Sequence, residues 1–103
     1  MAVRPTSDQT FETDTNHGIA VIDFWQDIGN GATQAAVDKA VSEQLPDVNF
    51  FVMDVMQNHT IANRYQIKKS PTIMVKKNGK VLGTAVGYRP KEPLIAYINH
   101  LIK

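Results

Sequence analysis

The sequence predicts an α/β domain built as a βαβ half followed by a ββα half, with a short helix in front. Three observations carry this. Ile19-Ala20-Val21-Ile22-Asp23-Phe24-Trp25 is a near-continuous run of β-branched and aromatic residues, as expected of a strand covered on both faces and central in its sheet. Apolar positions at helical spacing separate it from a second such run at residues 48–55. Two further apolar runs flank Asn78-Gly79, and Asn-Gly between such runs marks an antiparallel hairpin because both residues tolerate positive φ.

Each element has its own local signature. Thr6-Ser7-Asp8-Gln9 supplies capping residues before Phe11, which predicts a first helix over about 8–15 that ends near Asn16-His17-Gly18. After the loop from Gln26 to Gly31, Ala32, Ala35, Ala36, Ala40, Val41 and Leu45 set a helix over about 32–45, which Pro46-Asp47 ends. Gln57 to Tyr65 reads as a short helix with Ile61, Ala62 and Tyr65 on one side, and Pro71 interrupts the chain before Thr72-Ile73-Met74-Val75. Val81 to Val86 returns from the turn. Leu94, Ile95, Tyr97, Ile98, Leu101 and Ile102 form the stripe of a closing helix within residues 90–102, where Pro93 is tolerated in the first turn.

At 103 residues and 43% apolar composition, the chain suits one domain over residues 1–103, with room for one core. The formal charge of +1 conceals a division: residues 1–63 carry −7 and residues 64–103 carry +8. In a small domain the halves interleave, so these charges are expected to pair or to be solvated. No aromatic side chains alternate with Lys68, Lys69, Lys76 and Lys77 to stack bases, so nucleic acid is not an expected partner. Met1 to Pro5 is not followed by an apolar h-region and no run approaches the ~18 apolar residues of a membrane span. No membrane association is expected, and the cytosol is the expected compartment.

The cysteine count is zero, which removes disulfides, thiolate metal sites and thiol catalysis together. His17, His59 and His100 fall in different elements without i, i+4 partners, so no metal site and no cofactor are expected. Gly29-Asn30-Gly31 before a helix could face an anion, but the third glycine of a GxGxxG pattern is replaced by Gln34 and no Walker lysine follows. The glycines read as a tight loop, with Asn30 or Thr33 as the cap. Met53, Met56 and Met74 read as core fillers, and Ser70 has no assigned histidine to activate it.

Val21-Ile22-Asp23-Phe24-Trp25, Tyr65-Gln66-Ile67 with Ser70-Pro71-Thr72, Lys77-Asn78-Gly79-Lys80 and Val86-Gly87 together resemble the thioredoxin family, in order and at nearly its spacing. The resemblance spans nearly the whole chain and implies a thioredoxin fold, a central mixed β-sheet flanked by helices, with a cis Ser70–Pro71 bond beside the active-site loop. Asp47-Val48-Asn49-Phe50-Phe51 and Val75 to Lys80 look bacterial, in the manner of Gram-positive relatives.

The departures from that family bear on function. Where thioredoxins continue with Trp-Cys-Gly-Pro-Cys, this chain reads Gln26-Asp27-Ile28-Gly29-Asn30-Gly31-Ala32-Thr33. Counting forward from Trp25 sets Ile28 in place of the second Trp, Gly29 in place of the nucleophile and Ala32 in place of the resolving cysteine. Counting back from Val37-Asp38-Lys39 fits the helix register only if about two residues are missing from the loop. Neither alignment contains sulfur. A simple cysteine-to-serine inactivation would keep the loop's length and neighbours, so the loop reads as redesigned or naturally diverged.

In the family, the carboxylate matching Asp23 serves the resolving thiol and lies near a strand lysine. Here Phe51-Val52-Met53 offers no lysine, and a buried carboxylate without a cation is expected to hold its proton to higher pH. With no thiol to serve, Asp23 reads as structural. Trp25 is expected to underlie the loop, shaping that surface or touching a partner.

What the resemblance leaves is a groove that binds through backbone and apolar contacts: Ser70, Pro71 and Thr72 with Val86 and Gly87, flanked by Trp25, Ile28, Gly29 and Ala32. The expected function is a non-redox module that binds a protein or extended peptide, acting as a monomer or a weak dimer. The alternatives are an accessory to disulfide reduction that borrows thiols from a partner or from glutathione, and a redesigned scaffold with no partner.

Overall fold

The computed structural model describes residues 3–26 and 31–103. Along the chain these form β1 (Arg4–Pro5), α1 (Phe11–Thr15), β2 (Ile19–Trp25), α2 (Gly31–Gln44), β3 (Val48–Asp54), α3 (His59–Arg64), β4 (Thr72–Lys77), β5 (Lys80–Val86) and α4 (Lys91–Ile102). The strands make one mixed sheet in the order β1-β3-β2-β4-β5. β2 is the middle strand, parallel to β3 and antiparallel to β4, which accounts for its apolar run.

Side chains alternate across the sheet and divide the core into two layers. Ala20, Ile22 and Phe24 of β2 pack with Phe51, Met53 and Met74 beneath Phe11 of α1 and Ile61 of α3. Val21 faces the other way, with Phe50, Ile73 and Val75, beneath Val41 of α2 and Leu94 and Ile98 of α4. α4 lies so close to β5 that a Cβ added at Gly83 would stand 2.8 Å from both Leu101 Cδ1 and Tyr97 Oη.

The hairpin turn has the expected form, with φ of 50° at Asn78 and 88° at Gly79. Its far side is latched to the start of β2. The Asn78 N–H donates to the Gly18 carbonyl at 2.8 Å and the Gly18 N–H to Asn78 Oδ1 at 2.9 Å.

Several expectations are corrected. β1 has no period to detect, being two exposed residues that pair with Phe51 and Val52. α1 begins at Phe11 and not near residue 8, because Asp8 caps a different helix. Its Oδ1 accepts from the Ile61 N–H at 2.9 Å and its Oδ2 from the Thr60 N–H at 3.1 Å, satisfying the free donors in the first turn of α3. Asp8→Ala is therefore expected to cost about 1–2 kcal/mol in urea denaturation, with the first amide protection lost in α3. A loss confined to α1 would contradict this assignment.

Met56 is not a core filler. It lies 61% exposed in the turn after β3, unlike Met53 and Met74. Lys76, read as part of a solvated basic run, is 1% exposed. It falls on the inward-facing register of β4, with Thr72 and Met74, so its stem crosses the core. Its Nζ donates to Thr15 Oγ1 at 2.8 Å and Asn16 Oδ1 at 2.9 Å and stands 4.5 Å from the centroid of the Phe11 ring.

α2 is the largest departure from the sequence reading. Of its alanines, Ala32 and Ala36 are exposed, while Gln34, Asp38 and Ser42 are buried with Val41. Alanine on several sides gives this helix little hydropathy contrast, and polar side chains share its inward side with Val37, Val41 and Leu45. Gln34, Asp38 and Ser42 recur at i, i+4 and i+8, one stripe of a helix.

Candidate functional site

The register of the sheet brings the expected groove residues to one end. Phe24 of β2 pairs with Thr72 of β4, and Thr72 with Val86 of β5. One residue further along each strand therefore sets Trp25, Pro71 and Gly87 side by side. α2 starts from the same end, with Ala32 exposed in its first turn. Ile28 and Gly29 lie outside the described residues.

The Ser70–Pro71 bond is cis. The Gly87 N–H donates to the Pro71 carbonyl at 2.8 Å, extending the β4–β5 ladder by one rung. Gly87 has φ of +99° with open space where a Cβ would be, so glycine is required here by backbone conformation and not by crowding. Pro71 and Thr72 are buried, and the Thr72 hydroxyl donates to the Lys69 carbonyl, so neither side chain projects into a groove. What this end offers is the half-buried Ser70, whose backbone makes no hydrogen bond among the described residues, and Val86, 61% exposed. Trp25 is half-buried, and Lys68 and Lys69 are exposed just before Ser70.

Behind this end lies a carboxyl pair. Asp23, on the α2 side of β2, is 2% exposed and its register partner on β3 is Val52. Asp38 comes down from α2, also 2% exposed, and acts electrostatically on Asp23. Burial first, then the neighbouring Asp38 carboxyl, pushes Asp23 up to about 10, well above its ordinary 3.8. Burial also raises Asp38, against the influence of Asp23 and the hydrogen bond from Gln34, which favour its ion. Asp23 is thus the acid of the pair that keeps its proton through the neutral range.

Gln34 completes the arrangement. Fully buried, it donates from Nε2 to Asp38 Oδ1 and to the Arg89 carbonyl, both at 3.1 Å, and accepts the Arg89 N–H on Oε1 at 2.8 Å. One amide thereby ties α2, the acid pair and the segment after Gly87 together. Neither Gln34 nor Asp38 emerged as a site residue from the sequence. The available signal was their i, i+4 spacing, with both on the side chain stripe that also carries Ser42. His17, His59 and His100 are exposed in separate parts of the chain.

The profile of the thioredoxin family matches residues 2–100. The chain belongs to the thioredoxin family. Among this thioredoxin-family chain's relatives, the thioredoxin of Bacillus subtilis (strain 168) is 33% identical over 101 residues, covering 96% of this chain and 97% of the relative. That of Listeria monocytogenes is 34% identical over 102 residues, covering 97% and 99%. In structure, a thioredoxin of Malassezia sympodialis aligns with a TM-score of 0.85 at 30% identity, covering 99% of this chain and 92% of the other. A chloroplastic thioredoxin z aligns with a TM-score of 0.86 at 19% identity, covering 99% and 96%, a likeness of fold.

The relatives bear the name of a redox protein, while this chain contains no cysteine. Thiol–disulfide exchange needs a thiolate to attack a disulfide sulfur and a second thiol to resolve the mixed disulfide. Its own side chains supply neither. Among the described residues no helix is long and apolar enough to cross a membrane, and no group of three or more His, Asp or Glu side chains could hold a metal ion.

Proposed function

We propose that this thioredoxin-family chain is a non-redox binding module that takes an extended segment of a partner protein across the Ser70–Val86 end of its sheet. The observation that carries the reading is the Ser70 backbone, which bonds to no described residue, beside the exposed Val86, in a chain without cysteine. A peptide laid antiparallel there can give and receive hydrogen bonds at Ser70, as in strand addition, and cover Val86 with an apolar side chain. Trp25 and Ala32 border the same end. Lys68 and Lys69 favour acidic residues flanking the bound segment, through an attraction that salt screens. The sites are Trp25, Ala32, Ser70, Pro71, Thr72, Val86 and Gly87, with Pro71 and Thr72 shaping the backbone from below.

The test is selection of binders from a peptide library, followed by titration against variants. Val86→Arg and Gly87→Glu are expected to weaken the selected peptides at least about tenfold, roughly 1.4 kcal/mol, while His100→Ala on the far helix leaves them unchanged. Equal affinity for all three proteins would overturn the reading. The family's own chemistry favours a second reading, an accessory to disulfide reduction with borrowed thiols. Insulin reduction by dithiothreitol separates the two: the binding module leaves the rate at that of buffer, whereas acceleration supports the accessory.

A further inference from the structure

The sheet order keeps the two halves of the chain apart. β1, β2 and β3 come from residues 1–63 and β4 and β5 from residues 64–103, and the order β1-β3-β2-β4-β5 sets the two groups side by side. α2 lies on β2 and β3, and α4 on β4 and β5. The charged halves therefore do not interleave as expected, and the division into −7 and +8 along the chain becomes a division across the molecule. Among the described residues one ion pair joins the halves, Arg64 with Glu12 at 2.9 Å. Glu92 is the single acid of the second half.

β5 is the margin of the basic side, and no strand lies beyond it. The Gly87 N–H bonds to the carbonyl of Pro71, its opposite number. Bonded and non-bonded pairs alternate along an antiparallel ladder, so the N–H and C=O groups of Thr84 and Val86 point away from β4. Both residues are exposed, and they share the sheet face of Met74, which α1 and α3 leave uncovered at this margin. Lys77 and Lys80 stand opposite each other, exposed, at one end of the edge, and Lys103 follows the turn of α4 whose Leu101 lies over Gly83. Lys68 and Lys69 are exposed near the other end.

We propose that the outer edge of β5 takes up an extended acidic segment of a partner protein as a sixth strand, on the Thr84 and Val86 backbone and apart from the Ser70 backbone. A strand edge presents donors and acceptors in alternation, which a polypeptide answers with both, whereas phosphate oxygens only accept. A second copy of this chain would bring the same cations to the same edge and be repelled. Carboxylates along the added strand meet lysines at both ends, and an apolar side chain beside Val86 covers it.

The experiment titrates the isotope-labelled chain with an acetylated, amidated peptide of alternating Glu and Val, about six residues long, the usual span of a strand. Hydrogen exchange at the Thr84 amide is expected to slow as the peptide saturates, with a Lys-Val counterpart at least about tenfold weaker. Thr84→Pro removes the outward donor without breaking a bond to β4, and Lys80→Glu reverses a charge at the edge. Each is expected to weaken the Glu-Val peptide about tenfold or more, and the Thr84 amide of the parent with Lys80→Glu decides the matter should Thr84→Pro disturb the fold. Protection at Ser70 in place of Thr84 would overturn this inference and leave the reading at the Ser70–Val86 end standing. Undiminished binding by Lys80→Glu, equal affinity for the Lys-Val peptide, or tighter binding of a short single-stranded DNA to this edge would each overturn it as well.

Discussion

Between about pH 5 and pH 8 the folded state is expected to lose about 4 kcal/mol of stability, at about 1.4 kcal/mol per pH unit, because of the proton on Asp23. The unfolded chain releases this proton near the ordinary 3.8, whereas the folded protein keeps it to about 10. A group raised in the folded state contributes fully below its unfolded value, and that contribution is lost as pH climbs toward the folded one. The window therefore runs from about 4 to about 10. Asp38, raised by the same burial, works in the same direction for as long as it holds a proton. Urea midpoints across this range measure the slope.

Asp23→Asn is the decisive variant. Its amide is close in shape to the protonated acid and has no proton to release on unfolding. The slope is expected to flatten by one proton, and the variant to exceed the parent by up to about 4 kcal/mol near neutral pH. An unchanged slope would mean that Asp23 is ionised in the folded protein and that its burial is relieved by solvent.

Lys76→Met is expected to stabilise the protein by about 1–3 kcal/mol, since a buried ion replaced by an apolar side chain of similar length escapes its desolvation. Burial is the largest influence on this lysine and lowers it from 10.5, against the attraction of Glu12. A base lowered in the folded state costs stability while charged, and the cost is relieved as pH rises from its folded value toward 10.5. The methionine variant should remove that alkaline recovery. Of the two acceptors left behind, Thr15 Oγ1 still donates to the Phe11 carbonyl at 2.7 Å, and Asn16 is only half-buried and can turn to water. Lys76→Ala, by contrast, leaves a hole beside Phe11 and is expected to cost ~2–4 kcal/mol. Thermal denaturation distinguishes the two, and a methionine variant no more stable than the parent would show that the hydrogen bonds and the Phe11 ring outweigh the desolvation.

The parts of the fold that were legible in the sequence are those where local chemistry and burial agree. Residues 19–25 are apolar throughout and become the middle strand. Asn78-Gly79 has the turn chemistry of a hairpin and adopts it. The residues that escaped are those in which a polar side chain goes inside. Hydropathy marks Lys76 and Asp38 for the surface, and only the register of β4 and the orientation of α2 show otherwise. Asp8 looked like a cap for the nearest helix, but its partners are 52 and 53 residues further along the chain. The groove residues were reached through resemblance, and the register sets Trp25, Pro71 and Gly87 at one end of the sheet. Asp23 was legible as a proton-holding acid, whereas its partner across the interface was not.

The latch between Gly18 and Asn78 gives the sheet a mechanical polarity. At that margin Lys76, Thr15 and Asn16 add further cross-ties, so the strands are pinned together at the pole farthest from Trp25 and Gly87. Rewriting the connection after Trp25 leaves those fastenings intact. The connection after Trp25 can thus vary in length and chemistry without unravelling the sheet.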